Sequence, residues 1–136
     1  MAEIRTEVTL ENAADRWLVR HGHATEPEVR HTTVDGIVDT RVATLRLPQN
    51  VVDRLGLRRQ GTAFVMAADK RLEERPRAGP VTVRIGNREM LTECVVEASP
   101  SEPLIGLVVL GMLNLIADSA KGTLTPRHPD GPVLRC

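Results

Sequence analysis

The chain has no tyrosine, and Phe64 and Trp17 are its only aromatic residues. Platforms on which bases or sugars stack are therefore missing, and the core falls to Val, Leu, Ile, Ala and Met. Cysteine is nearly as scarce. Cys94 and Cys136 are the whole complement, too few for a disulfide framework and suited to a reducing cytoplasm. A charge excess is also absent: 18 basic residues meet 18 acidic ones, so the electrostatic footprint of a nucleic-acid binder is not there. The longest apolar run, "PLIGLVVLGMLNLIA", stays under the roughly 20 residues of a membrane-spanning helix. The beginning, "MAEIRTEVTLENAADRW", has no apolar stretch of a secretory signal, so a cytoplasmic location is expected. No low-complexity segment or linker breaks the 136 residues, a length that suits one domain over 1–136, with a core of about 8–134 and a tail from 128.

What is present is mostly strand-like. "EIRTEVTL" alternates apolar and polar residues, and "ENAADRWLVRHG" follows as a short helix stopped by Gly22. "EVRHTTV" and "GIVDT" are expected to be two strands joined at an Asp35-Gly36 turn. "ATLRLP" is a strand halted by Pro48, and "PQNVVDRLGL" a short helix stopped by Gly56. Two hairpins come next, one with a charged segment over 69–77 and one turning at Gly86-Asn87. "LIGLVVLGML" predicts a buried helix over 106–113, followed by the strand "LIADS" and a last strand before the Pro-rich end. The order strand, helix, Leu-x-Leu occurs twice, ending in "LGL" at 55–57 and "LNL" at 113–115. A duplicated barrel half and a coincidence of short apolar runs both explain it.

The stretch "GIVDTRVATLRLPQNVVDRLGL" places one carboxylate, Asp39, in an apolar run and follows it with Thr40 and Arg41. Together with the charged hairpin and "PLIG..VLGMLNLIAD..KGTLTPRHPDGPV", it resembles the small bacterial retropepsin-like aspartic peptidases, single-domain relatives of retroviral proteases. Asp39-Thr40 match the start of that family's Asp-Thr-Gly-Ala motif, Leu47-Pro48 its helix start, and Leu104-Ile105-Gly106 its later apolar-apolar-Gly motif. Arg41 stands where the motif has Gly and Val42 where it has Ala. The hairpin over 67–75 matches the flap, with Lys70 where Gly is most frequent. The resemblance implies a mainly β, retropepsin-like acid-protease barrel with two or three short helices, acting as a homodimer on a peptide or protein substrate. It implies Asp39 and Thr40 as catalytic residues and Arg41, Val42, Ala68, Asp69 and Lys70 as substrate contacts, with no metal and no cofactor.

Acid proteolysis needs two carboxylates at about 3 Å that share one proton, because like charges that close cannot both ionise. One Asp per chain therefore demands a two-fold pair. An arginine two residues on favours the charged carboxylate and works against the shared proton. The chain is thus expected to be an aspartic endopeptidase or, alternatively, a catalytically impaired dimer of the same fold that binds peptides.

Other candidates carry less. His21, His23, His31 and His128, with Cys94 and Cys136, have ligand chemistry but no zinc-site spacing. Cys94 is expected to be a half-buried strand residue with nothing nearby to activate its thiol. Asp118-Ser119, a second Asp-hydroxyl dipeptide, is expected to mark the end of a strand.

Overall fold

A computed structural model describes residues 3–128. β1 (Ile4–Asn12) buries Ile4, Val8, Leu10 and Asn12 on one face, as period-two alternation dictates. Asn12 then caps α1 (Ala13–Arg20), its side chain accepting from Asp15 N–H. Only Asp15 of this helix is buried, so α1 rides on the outside. A single 3₁₀ turn, Glu26–Glu28, leads to β2 (His31–Val38). β2 runs antiparallel to β1 without interruption, with Asp35 opposite Glu7 and Gly36 opposite Thr6.

The expected Asp35-Gly36 turn is therefore wrong. Gly36 is needed for close packing instead: a Cβ there would lie 3.3 Å from side-chain carbons of both Ile105 and Val8. The local turn signal was overridden by a tertiary contact.

β3 (Leu45–Pro48) passes into α2 (Gln49–Leu55), which buries Val51, Val52 and Leu55 and ends on Gly56 at φ +62°. β4 (Arg58–Met66) and the 14-residue β5 (Leu72–Ile85) make the charged hairpin, with β4 starting four residues before the expected Thr62. β5 and β6 (Arg88–Glu97) turn through Gly86-Asn87 as expected, with Gly86 at φ +62°. β7 (Leu104–Ile105) leads into α3 (Leu107–Met112), and β8 (Leu115–Asp118) pairs with β9 (Thr123–Pro126). Buried Arg88 ties that last pair down by donating to the carbonyls of Leu113 and His128 at 3.1 and 2.6 Å. The tail beyond 128 and Cys136 lie outside the described residues.

The sheet order is β1-β2-β7-β3-β6-β5-β4, and a further β1–β5 pairing closes six of these strands into a barrel. β4 stays outside the ring and, among the described residues, pairs with β5 alone. The core is aliphatic, with Val8, Leu10, Leu45, Leu47, Leu55, Val81, Val83, Ile105 and Leu113 completely enclosed. Each such side chain contributes about 1.5–3 kcal/mol by leaving water, enough to dispense with aromatic residues.

The repeated strand-helix pattern is present in the fold. β3-α2 and β7-α3 run antiparallel through Leu45 and Ile105. Their exits, Gly56 and Asn114, both adopt left-handed backbone, at φ +62° and +58°. Asparagine tolerates that conformation better than most residues, which explains why "LNL" serves where "LGL" does.

Candidate active site

β2 ends at Val38, and its next residue, Asp39, heads a loop that returns to β3 at Leu45. The short strand β7 lies between β2 and β3 and fixes this loop. Asp39 N–H donates to Ile105 C=O at 3.0 Å, and Val42 N–H closes a turn onto Asp39 C=O at 3.1 Å. From the other side, Leu107 N–H and Val108 N–H, at the start of α3, donate to Val42 C=O and Ala43 C=O at 2.8 and 2.9 Å. The crossing is possible because residue 106 is glycine. A Cβ there would lie 2.3 Å from Thr44 C=O oxygen and 2.6 Å from Ala43 carbon, both backbone atoms.

The Asp39 carboxylate is 16% exposed, and Arg41, at 91%, reaches back from solvent to it. Arg41 donates from Nε and from its own backbone N–H to Oδ1, both at 3.0 Å, and from Nη2 to Oδ2 at 3.1 Å. The guanidinium, helped by the backbone N–H, outweighs burial and holds Asp39 below the usual carboxylate range. Thr40 is exposed beside it, whereas Val42 is buried and presents its carbonyl to α3.

Ala68, Asp69 and Lys70 form the tip of the β4–β5 hairpin, and all three are exposed. Lys70 N–H donates to Ala67 C=O, Ala67 N–H to Arg71 C=O, and Lys70 takes φ +67°. This is a turn with one residue in left-handed backbone, the position for which glycine is best suited. No hydrogen bond or ion pair joins this tip to the Asp39 loop among the described residues.

Several of the remaining candidates have structural partners. His21 Nδ1 bonds Trp17 C=O at 2.8 Å and its ring stacks on the indole at 4.0 Å, while His128 Nδ1 meets Asn114 Oδ1 at 2.7 Å. No three His, Cys, Asp or Glu side chains converge as metal ligands among the described residues. Cys94 is fully buried rather than half-buried, and burial pushes its thiol up to about 12. Asp118 Oδ1 accepts from the backbone of Ala120 and Lys121 at 3.0 and 3.1 Å, so this second Asp-hydroxyl pair holds a turn. No helix among the described residues is long and apolar enough to cross a membrane. Sequence reading passed over Arg46, a polar position in alternating β3, whose neighbours Glu97 and Arg75 come from distant strands.

A six-strand barrel with short helices after β3 and β7 defines a retroviral-protease-like fold. Among solved structures, the retroviral protease-like domain of Ddi1 from Leishmania major is similar, with a TM-score of 0.55 and 13% identity over 99% of this chain and 96% of that one. No family model and no curated protein matches the chain at the level of sequence.

Proposed function

We propose that the chain is a retropepsin-type aspartic endopeptidase, active as a homodimer, whose resting site is latched by Arg41. The observation that carries this reading is the position of Asp39, at the head of a loop clamped between Ile105 and the start of α3. Two such loops facing across a two-fold axis bring two Asp39 carboxylates together, with Thr40 of each copy bracing the pair. One carboxylate then takes a proton from water while the other, protonated, donates to the peptide carbonyl. The hydroxide adds to the carbonyl carbon, and the C–N bond breaks as nitrogen takes up a proton.

The latch is displaceable. Arg41 is almost fully in solvent, where water and salt screen an ion pair and holding a long side chain costs entropy. A substrate or a second copy entering the cleft can turn it out. The scarcity of cysteine supports a cytoplasmic setting for this activity.

A second reading, a non-catalytic peptide-binding dimer, is favoured by the occupation of both Asp39 oxygens by Arg41. A peptide library digested from about pH 3 to pH 7 by wild type, Asp39→Asn and Arg41→Gly separates the two. Asp39-dependent cleavage by wild type supports the peptidase. A silent wild type with activity gained only in Arg41→Gly assigns the native chain to the scaffold. With Arg41 gone, the Asp39 pair keeps its shared proton to higher pH, so the activity of Arg41→Gly extends further toward neutrality than that of wild type. A monomer at micromolar concentration in sedimentation overturns both readings.

A further inference from the structure

The strand registers draw one continuous stripe across the sheet face opposite the core. Ile37 pairs with Leu104, Leu104 with Arg46, and Arg46 with Val95. Val95 pairs with Arg77, and two residues along the same strands come Glu97 and Arg75, the latter opposite Ala63 on β4. Paired residues share a face and alternate residues return to it, so Asp39, two beyond Ile37, stands at one end and the β4–β5 hairpin at the other. The stripe is recessed: Val95 is 7% exposed and the side chains of Arg46 and Glu97 are 24% and 22% exposed.

Charges on this stripe form a chain from hairpin to site. Arg75 pairs with Glu73 and, at 3.1 Å, with Glu97 Oε2. Arg46 reaches Glu97 Oε1 only at 3.5 Å, and its Nε is buried with no hydrogen-bond partner. A buried guanidinium N–H without an acceptor is costly, and among the ions of this stripe Arg46 is the one left short.

We infer that Arg46 is a specificity-determining residue that receives a carboxylate side chain of the bound peptide, so that the cleft selects Asp or Glu close to the bond held at Asp39. This deepens the peptidase reading and rests on it. A peptide carboxylate can approach the terminal nitrogens of Arg46, whose side chain is 24% exposed and meets Glu97 only at 3.5 Å, while Glu97 remains held by Arg75 at 3.1 Å. Two copies place an Arg46 on each side of the Asp39 pair, which extends the preference to both sides of the cleaved bond.

The test is a matched set of peptides differing only by Glu, Gln or Lys at positions flanking the cleavage site. Their cleavage by the Arg41→Gly chain is followed together with their binding to Arg41→Gly/Asp39→Asn by fluorescence anisotropy. Glu is expected to exceed Gln about tenfold, the size of one charge-assisted hydrogen bond. Arg46→Gln should level that preference, Arg46→Lys should keep part of it, and Glu97→Gln, which frees Arg46, should raise it. Cleavage or binding with no preference for Glu, or with a preference that Arg46→Gln leaves intact, overturns this inference alone. Failure of every chain to bind or cleave any peptide overturns the peptidase reading and this inference with it.

Discussion

Replacing Gly106 by alanine measures how firmly the Asp39 loop is clamped. The added Cβ would stand 2.3 Å from Thr44 C=O oxygen, whereas ordinary contact begins at 3.4 Å, so loop and helix must separate by about 1 Å. The obstructing atoms are backbone, and no rotamer change relieves them. Overpacking of this kind costs about 1–3 kcal/mol. The same displacement pulls apart Leu107 N–H to Val42 C=O and Val108 N–H to Ala43 C=O, each worth about 1 kcal/mol net. The expected loss is roughly 3 kcal/mol or more, which at m-values of about 1–3 kcal/mol/M lowers a urea midpoint by at least about 1 M. Gly111 supplies the control inside the same helix. A Cβ there meets nothing within 4 Å, and Gly111→Ala should gain about 0.5–1 kcal/mol from backbone entropy. A Gly106→Ala chain within about 1 kcal/mol of wild type would show that the loop is not held by this crossing.

Other substitutions probe separate parts of the fold. Lys70→Gly relieves the left-handed backbone at the hairpin tip and should stabilise by about 0.5–1 kcal/mol, seen as a rise of a few degrees in Tm. The buried Asp15 accepts from Arg30 N–H, Nε and Nη2 at 2.9–3.0 Å, so Asp15→Asn should cost about 1–3 kcal/mol at neutral pH. Arg30 lowers the pKa of Asp15 in the folded chain. The advantage of wild type over Asp15→Asn is therefore full above the unfolded carboxylate range and lost as pH falls through the lowered folded value, which Tm measured against pH will trace. In a Cys136→Ser background, Cys94 should resist a thiol reagent at neutral pH until the chain is unfolded; prompt labelling of native protein would contradict its burial.

Much of this architecture was legible because short elements carried clear punctuation. Pro48 and Gly56 bounded α2, Gly86-Asn87 turned a hairpin, and period-two alternation exposed β1 and β3. The failure at Asp35-Gly36 came from a residue whose role is set by Val8 and Ile105, which no local window contains. β4 began early because its first residues, Arg58 to Gln60, are exposed on an edge strand and show no apolar rhythm. At the site, the motif resemblance pointed to Asp39 and Arg41, and the structure joined them by three hydrogen bonds. Arg46 was illegible because its importance depends on where β6 and β5 put Glu97 and Arg75, and on one nitrogen left without an acceptor.

β5 belongs to two bodies at once. Its second half is gripped by β1 and β6 in the barrel wall, whereas residues 72–76 pair, among the described residues, with β4 alone. The two register shifts, at Arg59/Gly61 and at Ala78/Val81, lie side by side where the halves meet. The hairpin is thus a cantilever rooted in the wall. Residues 72–76 give it an arm of roughly 17 Å, so a bend of about 20° at the root sweeps the tip through roughly 6 Å. The Arg75–Glu97 ion pair, at 3.1 Å, ties the arm to β6 and must stretch with it. Amides above the root should exchange with solvent as one group, well ahead of those below it.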